Sequence, residues 1–339
     1  MTELSVSRST PASRIAMIAL GVAVIILFAA PWWAGRSELR LLGEIFLYMS
    51  LATLWNFLAG YAGLVSVGQQ AYVGLGGYMF FAGAIFWGLH PFVALPVAAV
   101  IGAAISAPVA ALIFRLRGAY FAIGTWVVAE GFLLTFAQIT ALGGGSGTSL
   151  PVDVARSLGD GRDAREAMTY WLALGIAVLV IGAVFAFLSS RRGVALTAIR
   201  DNELAAKSLG IGIWWTKFTV YVVTAGLTTL VGGLIFLQKL RISPDAAFSV
   251  NDWTAVVIFI VVIGGIGTLE GPILGTLIYF ALREALADYG TIYLIALGVV
   301  AIAIMLFAPK GLWGLIRGNR GIELFPLSRR VRGLTEKGQ

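Results

Sequence analysis

IAMIALGVAVIILFAAPWWA fills residues Ile15–Ala34 and carries no charge across twenty positions. That is about the length a helix needs to cross the hydrocarbon core of a bilayer. The run is preceded by Arg8 and Arg14 and closes on Trp32 and Trp33, aromatic side chains suited to a membrane–water interface. A cleaved signal peptide with its cut near Phe28-Ala29-Ala30 is the competing reading. The length of the run and its Trp pair favour a retained first span.

Nine further apolar runs follow: Leu39–Leu58, Ala71–Leu89, Phe92–Phe114, Ala119–Leu142, Met168–Leu188, Phe218–Leu237, Asp252–Ile266, Pro272–Leu286 and Ile292–Ala308. The expectation is an all-α polytopic membrane bundle of about ten transmembrane helices. Composition agrees. Of 339 residues, 59% are hydrophobic, 12% are charged and the mean hydropathy is +0.91, which excludes an ordinary cytosolic enzyme and a disordered chain. With no cysteine there is no disulfide frame and no thiol nucleophile. A single histidine, His90, rules against a His-cluster metal site and sits at a helix end with no site role.

The net charge of +7 has a topological explanation that needs no nucleic acid. With the N-terminus inside, residues 1–14, 115–117, 189–217 and 309–339 face the cytoplasm and hold 16 of the 24 basic residues. An even number of spans returns the C-terminus to the same side. The chain then divides into a cytoplasmic segment 1–14, a transmembrane domain 15–308 with a cytoplasmic loop 189–217, and a basic cytoplasmic tail 309–339. An outer loop, 143–167, opens with GGGSG.

Polar groups inside the apolar runs are the next signal. Glu44, Asn56, Gln69, Gln70, Glu130, Gln138, Arg283 and Glu284 all fall within or beside them. An ionisable group at membrane depth normally faces the bundle interior or a water-filled cavity. Glu130, near the centre of its run, reads as a path-lining group or as a hydrogen-bond partner between helices. Arg283 and Glu284 read as an interface pair.

The segment GYAGLVSVGQQAYVGLGG, 60–77, has six glycines and reads as a broken or re-entrant helix. Its neutral polar residues Ser66, Gln69 and Gln70 suit a solute path, while the glycines alone would also serve close helix packing. IGGIG at 263–267 is a second glycine break, which makes Gly264 and Gly265 path candidates.

The loop RRGVALTAIRDNELAAKSLGIGIWWTK, 191–217, holds a short amphipathic helix. Asp201 or Asn202 caps its start, and Gly210 stops it. Read from its residues alone, it is a docking helix or an ordinary surface connection. No GxxxxGK[ST] phosphate loop occurs, so ATP binding by this chain is not expected, and HExxH and GxSxG are absent.

Glu203-x-Ala205-Ala206-x3-Gly210 resembles the EAA-type coupling motif of ABC importer membrane subunits. Other stretches resemble, in order, the blocks of the Liv-type (LivM-like) branched-chain amino acid ABC permease family. They are GYAGLVSVGQQAYVGLGGY at 60–78, GAYFAIGTWVVAEGF at 118–132, GGGSGT at 143–148, ISPDAAF at 242–248 and VVIGGIGTLEGPILGTL at 261–277. The likeness covers roughly 40–310. It departs from the family at Gln69, where His is common, at Gln70, where a small residue is usual, and at GGGSG, which replaces TGG-x-x-G.

The resemblance implies a membrane permease subunit of a bacterial inner-membrane ABC importer. It would move branched-chain or related hydrophobic amino acids inward by ATP-driven alternating access. Glu203, Ala205, Ala206, Leu209 and Gly210 would couple to an ATPase. Ser66, Gln69, Gln70, Glu130, Gly264 and Gly265 would contact the path or substrate. Partners would be a second related permease, two cytoplasmic ATPases carrying ATP and Mg, a periplasmic substrate-binding protein and the surrounding lipid. Another small solute (urea, an amide, an aromatic acid, a sugar), an ion-coupled secondary transporter and a membrane enzyme are the alternatives.

Overall fold

The computed structural model describes residues 5–7, 11–159, 161–286, 292–308, 310–320, 324–325 and 330–332. Helices dominate. In chain order they are α1 (Pro11–Phe28), α2 (Arg36–Asn56), α3 (Gln69–Phe86), α4 (Pro91–Ile113), α5 (Ala119–Ala137), α6 (Val152–Arg156), α7 (Arg162–Ser189) and α8 (Arg191–Asp201). Then come α9 (Glu203–Ser208), α10 (Ile213–Lys239), α11 (Pro244–Ala247), α12 (Val256–Gly264), α13 (Glu270–Ala285), α14 (Ile292–Phe307) and α15 (Gly311–Arg320). Among the described residues there are also two short antiparallel pairs: Ser5–Ser7 with Arg330–Arg332, and Thr148–Ser149 with Arg241–Ile242.

Helices occupy all ten positions expected from the apolar runs. Among the described residues, eight helical stretches are long and apolar enough to cross a membrane. The two that fall short are α3, whose first turn spends two positions on glutamine, and α13, which has only 16 residues. α3 is largely enclosed by other helices, where backbone and side-chain polarity is tolerated at membrane depth, whereas α13 buries only its first residues and one face.

Burial separates central from peripheral helices. In the hydrophobic windows of α2 and α10, 78% of residues are buried; in α1 the share is 6%, and in α5 it is 22%. The central helices meet through glycine. A Cβ on Gly76 of α3 would lie 2.0 Å from the Thr229 carbonyl oxygen of α10, and one on Gly102 of α4 would lie 2.1 Å from Thr229 Oγ1. Small residues let backbones approach closely where lipid supplies no hydrophobic drive between helices. At the periphery, α1 is held at its C-terminal end by α7. Tyr170 donates to the Leu27 carbonyl (2.6 Å), Trp171 donates to the Phe28 carbonyl (3.0 Å), and Trp171 stacks on the Phe28 ring.

The stretches quoted above as separate blocks converge in space. Tyr78 of α3 stacks between Phe136 of α5 and Phe248 just after α11, with centroids 4.6 and 5.9 Å away. Thr148 and Ser149 pair with Ile242 and Arg241. The GGGSG turn needs left-handed backbone at Gly143, Gly144 and Gly147 to reach that pairing.

Candidate functional site

The break in 60–77 is real. A π turn, Phe57–Tyr61, extends α2 and the chain reverses at Gly63 (φ +68°). Residues Leu64–Gly68 run without helix before α3 begins at Gln69. Gly68 is demanded by proximity, since a Cβ there would lie 2.2 Å from the Thr125 carbonyl oxygen of α5.

Ser66, Gln69 and Gln70 are all buried beneath this break. Trp55 Nε1 donates to the Ser66 carbonyl (2.8 Å), and Gln69 Nε2 donates to the Leu51 carbonyl (2.9 Å). The Gln69 Oε1 and Thr224 Oγ1 atoms have no hydrogen-bond partner. Both residues line a void of about 10 Å³, together with Ser66 and the hydrogen-bonded hydroxyls of Tyr72 and Tyr221. That is room for about one water, so no solute binds at Gln69 in this conformation. Gln70 turns elsewhere: its Oε1 accepts from the Thr254 hydroxyl, in the π turn leading to α12, and its Nε2 is unpaired.

Glu130 lies apart from this cluster. It is the acceptor of a 3.1 Å bond from Trp126 Nε1 one turn earlier on α5. That face of α5 also exposes Ile123, Trp126, Val127 and Leu134. A carboxylate half-exposed in mid-span is expensive against lipid, so this face suits another protein surface or a wet path.

Gly264 and Gly265 form a packed turn away from Gln69. A Cβ on Gly264 would lie 1.8 Å from the Gly271 carbonyl oxygen, and Gly265 takes φ +129°. Asn56, at the end of α2, clamps this turn from both sides. Its Nδ2 donates to the Thr268 carbonyl (2.7 Å) and its Oδ1 accepts from the Gly267 amide (2.8 Å). Arg200, on the last turn of α8, donates to the Gly60 carbonyl at 3.1 Å. The end of the α8 segment is thereby tied to the break after α2. Sequence reasoning noted Asn56 only as a polar residue in a span and gave Arg200 no role. No local pattern marks either contact, because the partners are distant in sequence.

The loop helix forms as its residues dictate. Asn202 leaves helical backbone and its Oδ1 caps α9 by accepting from the Ala205 amide (3.0 Å). Gly210 ends the segment at φ +78°; its amide bonds the Lys207 carbonyl and the next amide bonds the Ala206 carbonyl. Glu203, Ala205, Leu209 and Gly210 are exposed. Ala206 points inward and is 1% exposed, so it seats the helix on the bundle and offers nothing to a docking partner. The prominent outward side chains are Leu204 and Leu209, each 79% exposed. Leu204 is not among the coupling residues that the resemblance implies; two positions before the seated Ala206, it falls on the opposite, outer face of α9. Glu203 also reaches Lys217 Nζ on α10 at 3.4 Å.

Arg283 takes a partner other than its neighbour Glu284. Its guanidinium makes a bidentate pair with Glu44 of α2, at 2.8 and 2.9 Å.

The family described as branched-chain amino acid transport system / permease component matches residues 37–309. The chain belongs to that family. The permease is 26% identical over 337 residues to the high-affinity branched-chain amino acid transport system permease protein LivM of Escherichia coli (strain K12), covering 92% of this chain and 78% of that protein. It is 29% identical over 186 residues to a probable LivM of Methanocaldococcus jannaschii, covering 55% of this chain and 53% of the relative. A probable LivH of the same organism is 25% identical over 150 residues, covering 41% and 46%. No solved structure matches. The protein is therefore a multi-pass membrane permease component of a transport system.

Proposed function

We propose that this chain is one of two permease subunits of an ABC importer in a bacterial inner membrane, moving branched-chain or related hydrophobic amino acids into the cell. ATP and Mg²⁺ act on two partner ATPases, a related permease completes the path, and a periplasmic binding protein delivers the solute. Both termini and α9 lie on the cytoplasmic side.

The observation that carries the reading is α9 itself. It is a capped helix seated by Ala206 that holds Leu204 and Leu209 out to solvent beside exposed Ala205 and Gly210. Such an apolar, small-residue face suits a helix-in-groove contact with an ATPase. Arg200, four residues before Leu204, carries that contact to the break after α2 through the Gly60 carbonyl. On this reading the Glu130 face of α5 meets the second permease across the solute path.

Co-expression with the partner subunits tests it. Leu204→Asp or Ala205→Glu abolishes ATPase co-purification and uptake of radiolabelled L-leucine. Arg200→Ala leaves the ATPase attached but weakens the link between ATP hydrolysis and uptake. Uptake by the isolated chain in proteoliposomes, driven by an ion gradient without any ATPase, would overturn the proposal. It would favour a secondary transporter using Glu130.

A further inference from the structure

A cavity of about 500 Å³ opens among α2, α6, α7, α10 and the π turn Asn251–Ala255. The size is typical of small-molecule sites, about 300–1,000 Å³. It lies at the end of the bundle opposite α9. Arg162, Arg165 and Glu166 line it from the first turns of α7, whose far end leads into α8. Gln238 and Lys239 line it from the last turn of α10, whose first turn follows α9.

The floor is apolar and rigid. Tyr48 and Trp253, both buried, stack with centroids 5.9 Å apart, and Trp253 Nε1 is fixed by donating to the Ala246 carbonyl at 2.8 Å. Both carboxylates on the walls are already engaged, Glu44 by Arg283 and Glu166 by Arg40. The lining carries four basic residues against these two acids. Lys239 Nζ sits 4.6 Å from the Trp253 ring centroid, and among the described residues no carboxylate lies within 4.0 Å of it. Glu44 and Asp252 act on it only from farther away.

An ammonium without a contact ion pair, fixed above an apolar aromatic floor, is built to take an anionic head group with a hydrocarbon tail. We infer that this cavity binds an apolar carboxylate-bearing solute, its carboxylate at Lys239 and its hydrocarbon on Tyr48 and Trp253. The inference deepens the proposed importer, resting on its assignment of hydrophobic amino acids and of α9 to the cytoplasmic side, which puts this cavity at the outer face. It makes the cavity a first station for solute within this subunit.

The absence of cysteine from this chain supplies the test. Gln238→Cys places one thiol in the cavity of the full chain, purified with its partner subunits. The rate of its alkylation by a fluorescent maleimide is read from this chain's gel band. L-leucine and 3-methylbutanoate, well above their Kd, slow the reaction by roughly tenfold, while isoamylamine, which has the same hydrocarbon without a carboxylate, does not. Adding Lys239→Met removes the protection and Lys239→Arg keeps it; Leu240→Cys at the cavity wall repeats the experiment should the first thiol perturb folding.

Equal protection by isoamylamine, or protection that survives Lys239→Met, overturns the assignment. So does protection by phosphatidylglycerol with none by either carboxylate. Leucine uptake with no carboxylate protection at either thiol overturns it while leaving the importer intact. Conversely, Lys239-dependent protection by 3-methylbutanoate in a complex that does not transport amino acids upholds the cavity and removes the proposed substrate.

Discussion

The two ends of the bundle share α2, α7 and α10 but are built in opposite ways. At the α9 end, space is closed by glycines and by hydrogen bonds to backbone: Gly60 against Gly267, Gly264 against Gly271, Asn56 clamping a turn, Arg200 on a carbonyl. The void nearest the break after α2 holds about 10 Å³. At the other end, long charged side chains splay from the helix tips, and about 500 Å³ stays open between them. One end is fixed by shape and backbone geometry, where a single added methyl is felt. The other is held by charge pairs that water reaches, which are individually weak.

That contrast predicts a graded response to substitution. The largest effect belongs to Gly264→Ala, whose Cβ would lie 1.8 Å from a backbone oxygen that cannot swing away. We expect a loss of about 3 kcal/mol, seen as collapse of the monodisperse peak in fluorescence-detected gel filtration. A wild-type profile would break the picture of a sealed end.

Next comes Asn56→Ala, which strips partners from the Gly267 amide and the Thr268 carbonyl. A loss of about 2 kcal/mol is expected. Arg283→Ala, which breaks the half-exposed pair with Glu44 at the cavity end, should lose only about 1 kcal/mol. The two melting curves in detergent sharpen the comparison, and a reversed order would refute it.

Salt gives a smaller contrast. The Arg36–Asp163 pair is largely exposed, so Arg36→Ala should leave the melting temperature unchanged at high ionic strength. The smallest effect is expected for Gly175→Ala in α7, where nothing lies within 4 Å of the added carbon. Its melting temperature should stay at or slightly above that of the unmodified chain, as helix propensity alone would give.

Much of the site was readable from residues in local order. The break at 60–77 is announced by its glycines, and the capping of α9 by Asn202 and its stop at Gly210 follow from residue type. What local order misplaced is instructive. Ala206 belongs to the motif but faces the bundle, because the fold sets which side of α9 is seated. Glu130 is expected from the sequence beside Gln69 and Gln70 on one path, yet it lies on an outward face of α5 while they are buried. Arg283 bypasses Glu284 for a carboxylate 239 residues away.

The sequence by itself determined that this is a helical membrane protein, where the ten apolar helices lie, where the chain breaks after α2 and where the loop helix α9 is capped and stopped. Those properties depend on hydropathy summed over about twenty residues and on backbone preferences of single glycines and caps. Only the tertiary structure decided that Arg200 ties the loop to Gly60 across 140 residues, that Asn56 grips a turn 212 residues on, and that an aromatic-floored cavity forms around Lys239. In a chain that is apolar almost everywhere, hydropathy places helices in the bilayer but says nothing of which faces meet. That is settled by where small residues permit close approach and where polar groups must find one another.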